Sequence, residues 1–166
     1  MPDASILALL FIGAVIVQRL VELWLARGNT RRLLARGGRE VGASHYPLIV
    51  ALHTTWLVAI LGFGWQAAVS IPWFTAYVVL QLFRVWILAR LGSRWTTRII
   101  IVDEPLVRRG PYKFIAHPNY LLVVAEIFVV PMALGLFTIA LIFSILNAAV
   151  LAVRISREAR ALAETR

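Results

Sequence analysis

The sequence predicts an all-α, multi-pass membrane protein with five transmembrane helices, the last two forming a helical hairpin. Hydrophobic residues make up 61% of the 166 residues and charged residues only 15%, which is far from the composition of soluble domains. Five apolar stretches can each cross a hydrocarbon core of about 30 Å, which takes roughly 20 helical residues. Basic residues are concentrated between these stretches. Together these features indicate a chain that folds in a nonpolar solvent.

Each of the five stretches is interrupted by few or no charged residues. The first has no basic start and no small-residue cleavage site, so we expect it to be retained rather than removed as a signal peptide. Only Gly135 and its neighbours separate the last two, and Pro131 is expected to kink the fourth helix without breaking it. The stretches are Ile6 to Leu25, Pro47 to Trp65, Pro72 to Leu91, Asn119 to Leu134, and Leu136 to Val153.

The net charge of +9 is distributed as an orientation signal. Clusters of Arg and Lys lie between stretches one and two, between three and four, and after stretch five, whereas the opposite side has almost none. The positive-inside rule therefore predicts an outward amino terminus and a cytosolic carboxyl terminus in a bacterial inner membrane. Membrane lipids are expected partners because basic loops attract anionic headgroups. We expect no nucleic-acid partner, and the sequence does not indicate an oligomeric state.

The composition also limits the chemistry that the chain can perform. Cysteine is absent, which excludes disulfides, thiolate metal sites and cysteine nucleophiles. The three histidines, His45, His53 and His117, lack metal-ligand spacing, so no metal site is predicted. No linker or repeat divides the sequence, and residues 1–166 are expected to form a single domain.

The two long cytosolic loops differ in composition. The loop Gly28–Tyr46 contains several glycines and is predicted to be a partly helical excursion without direct chemistry. In the loop Gly92–Pro118, the segment Trp95–Val102 is rich in β-branched and aromatic residues. Leu106 and Val107 could pair back with it, so a small local hairpin is expected.

Two rigid turns in the second loop, Gly110–Tyr112 and His117–Tyr120, are expected to fix its position where the fourth helix begins. Functional residues are common on such positioned loops. Arg154 and Glu158 lie four residues apart on a helix that leaves the fifth stretch, so they share one face directed back toward these turns. By itself this spacing favours a surface ion pair.

Ionisable residues inside apolar stretches need a partner or a purpose because their insertion costs at least about 2.5 kcal/mol. Glu126 lies two helical turns inside the fourth stretch and Arg84 in the middle of the third. Glu126 either braces two helices by pairing with Arg84, or lines an acceptor pocket and accepts a proton there. Glu22 is the alternative partner of Arg84.

Other polar residues in the stretches are predicted to be structural. Gln18 and Glu22 share one face of the first helix and are expected to bond other helices, while Arg19 turns partly aside. His53 and Asn147 are expected to be satisfied polar groups of the core rather than ligands.

The run from Leu106 to Tyr120, followed by Arg154 and Glu158, resembles the isoprenylcysteine carboxyl methyltransferase family. The segments QRLVEL, GREVGASHYP and HPNYLLVVAE are similar to short bacterial members that are encoded beside type III polyketide synthases and methylate alkylpyrones or related lipids. The resemblance covers nearly the whole chain. It implies an O-methyltransferase that takes its methyl group from S-adenosylmethionine and acts on a lipophilic acceptor at the cytosolic face of the membrane.

The resemblance also assigns roles to residues. Arg154 is implied to face the acceptor, and Arg84 and Glu126 are candidate acceptor-binding residues. A carboxylate acceptor is already ionised, so Arg154 could orient it, whereas a phenol needs a base such as Glu126. Arg154 and Glu126 are therefore the catalytic candidates. The residues implied to bind S-adenosylmethionine are Leu106, Val107, Tyr112, His117, Pro118, Asn119, Tyr120 and Glu158.

Two positions depart from the family pattern. Ala116 replaces the Arg that usually precedes His-Pro, and Glu158 is followed by Ala159 rather than a second Glu. The acceptor stays open between alkylpyrone or alkylresorcinol lipids and a prenylcysteine-like carboxylate. The alternative functions are an NADPH-dependent membrane reductase of the sterol reductase type and a non-catalytic membrane adaptor or carrier.

Overall fold

The protein is built mainly from five helices. The computed structural model describes residues 4–103, 105, 109–115 and 117–163, the last three as backbone only. Three short 3-10 turns and one two-stranded ribbon complete the described chain. The predicted helical membrane class is confirmed. The helices are α1 (Ala4–Ala35), α2 (Tyr46–Gly64), α3 (Ile71–Leu91), α4 (Pro118–Ala133) and α5 (Phe137–Ala163).

The helices differ in their ability to cross a membrane. Among the described residues, α1, α2, α3 and α5 each contain an apolar segment long enough to span one, and α4 is apolar but shorter. α4 has 16 residues and contains Pro131, and it packs against both α3 and α5. The protein is therefore a multi-pass membrane protein, and the count of five spans stays a prediction.

The turn between α4 and α5 has the geometry of a tight helical hairpin. Gly135 adopts a positive φ of 68°, which glycine reaches without the steric cost of a side chain. The amide of Leu136 donates to the Pro131 carbonyl at 2.9 Å, which closes the turn. On the same side of the fold, the amide of Ser70 donates to the Ala133 carbonyl at 2.8 Å. This bond ties the α2–α3 connection to the end of α4.

The core lies where α1, α2 and α4 meet. Trp56 and Ile60 of α2 are fully buried against Ile12 of α1 and Ile127 of α4. In a bilayer this contact is stabilised by van der Waals packing, because lipid tails are as apolar as the side chains themselves. The outward faces of the helices carry many exposed large hydrophobic residues, as contact with lipid requires.

α1 is longer than predicted, because it continues ten residues beyond the expected end at Leu25 to Ala35. Beyond Ala35 the chain turns at Gly37, which has a φ of 85°, and the amide of Gly38 donates to the Leu33 carbonyl at 2.9 Å. A left-handed glycine followed by such a bond is a common helix terminus. The first cytosolic loop is thus a helix with a short return segment.

The return segment forms a ribbon with the second cytosolic loop. β1 (Arg39–Val41) pairs antiparallel with β2 (Ile99–Ile101). The guanidinium of Arg98 donates to both carboxylate oxygens of Glu40, at 2.8 and 2.9 Å. β2 thus pairs with a strand of the other loop, and the local hairpin stays a prediction. Leu106 and Val107, the expected partners, lie outside the described residues.

Gly38 is a site where a side chain should disturb this junction. A Cβ at this position would meet the Leu33 carbonyl oxygen at 2.7 Å and Cγ2 of Ile100 at 2.9 Å. Gly38→Ala is expected to lower the free energy of unfolding by about 1–3 kcal/mol, the usual cost of overpacking. Thermal unfolding in detergent would measure the change.

Gly28→Ala is the matched control, because Gly28 lies inside α1 and a Cβ there would have nothing within 4 Å. This substitution is expected to stabilise by about 0.5–1 kcal/mol through the helix backbone. Equal effects of the two substitutions would show that Gly38 has no special packing role.

Candidate functional site

The first turn of α4 presents a group of aromatic and polar side chains. Pro118 occupies the first turn, where a missing amide costs nothing and the fixed φ favours the helix, and it is buried. The His117 ring stacks on Tyr120 with 5.0 Å between ring centroids and 11° between planes. Trp95 Nε1 donates to Asn119 Oδ1 at 3.2 Å, which fixes the amide against the second loop.

The cytosolic end of α5 meets this turn at the hydroxyl of Tyr120. The hydroxyl donates to Glu158 Oε2 at 2.5 Å and accepts from Arg154 Nε at 2.9 Å. Arg154 Nη1 also donates to the Thr97 carbonyl at 2.8 Å. In the described part of the chain, Arg154 and Glu158 meet through Tyr120 rather than forming the ion pair that their spacing also allowed.

Tyr112 reaches the same region from the turn Gly110–Lys113. Gly110 has a φ of 61°, and a Cβ there would meet Cγ of Arg90 at 2.8 Å, so the turn requires glycine. Burial raises the pKa of Tyr112 well above its usual range, and the negative charge of Glu158 raises it further. The Tyr112 phenol is therefore a neutral hydroxyl throughout the physiological pH range.

The structure thus brings together most of the residues predicted to form the cofactor site. The turn Gly110–Lys113 and the start of α4, which are close in sequence, meet the distant end of α5 here. Leu106, Val107 and the departure at Ala116 lie outside the described residues. The assembled residues are Tyr112, His117, Pro118, Asn119, Tyr120, Arg154 and Glu158.

A second polar cluster surrounds Glu126, which is completely buried. Its Oε2 accepts from Arg19 Nη2 at 2.6 Å and from Arg84 Nη2. Its Oε1 accepts from Arg84 Nε at 3.0 Å and from Gln81 Nε2 at 2.8 Å. Glu126 therefore already accepts four hydrogen bonds. This geometry favours the structural alternative, while its role as a base stays a prediction.

Glu22 completes the second cluster. Glu22 contacts Arg84 Nη1 at 2.8 Å and Arg19 Nη1 at 3.0 Å. Arg84 therefore binds both of its expected partners, Glu22 and Glu126. Gln18 Nε2 donates to Glu22 at 2.8 Å within α1, and the predicted interhelical bonding of Gln18 is made by the Tyr77 hydroxyl, which donates to its Oε1 at 2.5 Å. The expectation that Arg19 turns aside is wrong, because Arg19 bridges Glu22 and Glu126. Two guanidinium groups and two carboxylates make the cluster neutral.

A cavity of about 160 Å³ lies among the helices and is lined by residues of both polar clusters. Apolar side chains such as Val123 and Leu151 form much of the remaining wall. Within the described residues, Glu126 and Glu158 contact lining residues without lining the cavity themselves. The polar residues that the two clusters contribute to the wall are Arg19, Glu22, Arg84, Asn119, Tyr120 and Arg154.

Sequence reasoning missed several residues of this wall. Tyr46, His53 and Leu57 of α2 line the cavity, and their spacing of seven and four places them on one helical face. This periodicity is the sequence signal that could have identified them as residues of one shared surface. Asn147 also lines the cavity, and its buried Nδ2 has no partner among the described residues. The prediction that Asn147 is a satisfied core group is therefore wrong for this atom.

The apolar helices define a multi-pass integral membrane protein, and a cavity is lined by residues of its two polar clusters. Residues 73–164 match the isoprenylcysteine carboxyl methyltransferase (ICMT) family. The match covers more than half of the chain, which therefore belongs to this family. The family consists of membrane methyltransferases that generally use S-adenosylmethionine, and it implies this class of enzyme for the chain.

The chain is also similar to an uncharacterized protein, YpbQ, of Bacillus subtilis (strain 168). The two are 38% identical over 165 residues, which cover 93% of this chain and 96% of that protein. No solved structure matches the chain. The similarity to YpbQ extends the relationship to α1, α2 and the first loop, which the family match does not include.

Proposed function

We propose that the protein is an S-adenosylmethionine-dependent O-methyltransferase that acts on a lipophilic acceptor at the cytosolic face of a bacterial inner membrane. The observation that carries this proposal is the meeting of Arg154, Tyr120 and Glu158 through one hydroxyl group at the wall of an internal cavity. Family membership makes methyl transfer the expected reaction.

The residues at the cytosolic end have the chemistry that the cofactor requires. Glu158 can accept hydrogen bonds from ammonium or hydroxyl groups. The stacked faces of His117 and Tyr120, together with Tyr112 nearby, can stabilise a sulfonium cation. When bound, S-adenosylmethionine supplies an electrophilic methyl group. The cytosolic end of α5 and the first turn of α4 would hold it beside Arg154.

Methyl transfer is an in-line displacement, so the main tasks of the protein are to align the acceptor oxygen and to exclude water. Arg154 both lines the cavity and contacts Tyr120, which supports a role for it between the acceptor and the cofactor. We assign to Arg154 the orientation of the acceptor. Arg84 lies on the same cavity wall and is held by Glu22 and Glu126, so it can shape the deeper end of the pocket.

The size of the cavity indicates how a lipid would enter. A volume of about 160 Å³ is below the roughly 300–1,000 Å³ of sites that enclose a drug-sized ligand. The cavity can hold the polar head of a lipophilic acceptor, whose chain would extend between helices toward the bilayer. Alkylpyrone or alkylresorcinol lipids and prenylcysteine-like carboxylates all have this shape.

Calorimetric titration of the detergent-purified protein tests the cofactor assignment. We expect S-adenosylhomocysteine to bind in the micromolar range and NADPH to give no heat. Binding of NADPH alone would instead assign the protein to the membrane reductases. Absence of binding by either ligand would favour an adaptor or carrier.

A further inference from the structure

Residues 95–97 of the second cytosolic loop are bonded to both helices that carry the proposed cofactor site, and we call them the bridging segment. Trp95 Nε1 donates to Asn119 Oδ1 in the first turn of α4 at 3.2 Å. Two residues later, the carbonyl of Thr97 accepts from Arg154 Nη1 near the end of α5 at 2.8 Å. The position of the bridging segment therefore affects both sides of the site.

The bridging segment belongs to no helix or strand. It follows the 3-10 turn Gly92–Arg94 and precedes β2, so no regular ladder of backbone hydrogen bonds fixes its position. Trp95 is nevertheless almost fully buried, and buried backbone groups outside regular structure need partners elsewhere. These partners come from the two amino-terminal helices.

The cytosolic extension of α1 binds the bridging segment through one side chain. Asn29 Nδ2 donates to the Trp95 carbonyl at 2.8 Å and to the Gly92 carbonyl at 3.2 Å. Ala26, one turn earlier on the same helical face, is buried in one apolar cluster with Trp95. Within the described residues, Asn29 does not line the cavity. Its link to the site therefore passes through the bridging segment.

The start of α2 binds the other end of the bridging segment. Tyr46 is the first residue of α2, and its hydroxyl lies 3.1 Å from Thr97 Oγ1, where either group can donate. The side chain of Thr97 is thus tied to α2 while its carbonyl accepts from Arg154. Without the Tyr46 hydroxyl, this carbonyl loses a restraint on its position.

The bond to Thr97 is the first link of a chain that ends at the proposed cofactor carboxylate. Arg154 also donates through Nε to the hydroxyl of Tyr120, which in turn donates to Glu158. Hydrogen bonds in such a chain strengthen one another, so the loss of one weakens the others. A ligand is held precisely only when the side chains that contact it are locked by their own neighbours.

We propose that Asn29 and Tyr46 are positioning residues of the cofactor site, which hold Asn119 and Arg154 in place through the bridging segment. This inference rests on the proposed function and concerns the same site. Both residues precede the family match at residues 73–164, so the inference gives the two amino-terminal helices a part in cofactor binding. Neither residue needs to contact the cofactor.

Calorimetric titration of detergent-purified variants with S-adenosylhomocysteine tests the proposal. Asn29→Leu removes both bonds of the side-chain amide, and Tyr46→Phe removes only a hydroxyl. Each is expected to weaken binding about 3–30-fold, the usual range for residues that act along a connected network. Tyr77→Phe is the matched control, because its hydroxyl also bonds another helix, at Gln18, but Tyr77 does not line the cavity. It should bind within twofold of the wild type.

Variants of Thr97 separate positioning from a direct contact between Tyr46 and the ligand, since Tyr46 itself lines the cavity. Thr97→Val removes the same bond as Tyr46→Phe, so the double variant should bind no more weakly than either single variant. Thr97→Ser keeps the hydroxyl and should bind like the wild type. If Asn29→Leu does not fold, these milder substitutions decide the inference.

Four results would overturn the inference. They are binding within twofold of the wild type by Tyr46→Phe or by folded Asn29→Leu, equal weakening by Tyr77→Phe and Tyr46→Phe, additive effects of Tyr46→Phe and Thr97→Val, and binding by Thr97→Ser as weak as that by Thr97→Val. Each leaves the proposed function intact, because the wild type still binds S-adenosylhomocysteine. If the wild type does not bind it, the proposed function itself fails, and this inference fails with it.

Discussion

Replacing Glu126 by glutamine is expected to lower the free energy of unfolding by about 3–5 kcal/mol, the usual cost of breaking a buried ion pair. Glu126 is fully buried and binds both Arg19 and Arg84. Its neutralisation leaves two guanidinium groups with only the carboxylate of Glu22. Equilibrium unfolding in mixed micelles would measure the loss.

The double variant Arg84→Gln/Glu126→Gln separates charge imbalance from loss of packing. It removes one charge of each sign and leaves the pair of Arg19 and Glu22, which are 3.0 Å apart. We expect the double variant to be more stable than Glu126→Gln alone, so that the two substitutions are not additive. If Glu126→Gln abolished methyl transfer with no change in stability, Glu126 would be a base rather than a brace.

Replacing Glu158 by glutamine is expected to weaken binding of S-adenosylhomocysteine by roughly 10–150-fold. This range corresponds to about 1.5–3 kcal/mol, the usual contribution of a hydrogen bond to a charged group. Glu158 accepts from Tyr120 and is the carboxylate that we propose binds the cofactor. Calorimetric titration gives the dissociation constants directly.

Glu40→Gln is the control for this experiment. The substitution also removes an ion pair, the one between Glu40 and Arg98 in the ribbon, but Glu40 belongs to no proposed site. It should change the dissociation constant less than threefold. Comparable weakening by both substitutions would mean that Glu158 acts only through general electrostatics. In that case the cofactor site would have to lie elsewhere.

The sequence was most informative where an ionisable residue lies in an apolar stretch, because its insertion into the membrane costs free energy. Glu126 and Arg84 lie within apolar stretches, and their need for oppositely charged partners was enough to predict that they could contact each other. The motif from Gly110 to Tyr120 contains two turns, each with a proline, so its local geometry could be predicted from the sequence. Helix positions followed from apolar length alone, apart from the extra turns of α1.

The remaining features depend on which segments meet in space. The partner of β2 lies about 60 residues earlier in β1, and short strands carry no signal for one partner over another. The spacing of Arg19 relative to Glu22 showed that the two could pair, yet it could not show that Arg19 also reaches Glu126. The position of His53 at the cavity could not be predicted, because residues of all five helices form the cavity wall.

The neutral cluster around Glu126 also bears on how the chain enters the membrane during synthesis. Arg19 and Glu22 lie on one helix and pair with each other, so the apolar stretch Ile6–Leu25, which contains no other charged residue, can partition into lipid without a net charge. Arg84 of α3 is synthesised after α1, so its partner Glu22 is already present. Glu126 follows with α4 and completes the set. The charged residues of α3 and α4 therefore each have an oppositely charged partner on a helix synthesised earlier. Such a partner lowers the cost of transferring each helix from the translocation machinery into the bilayer.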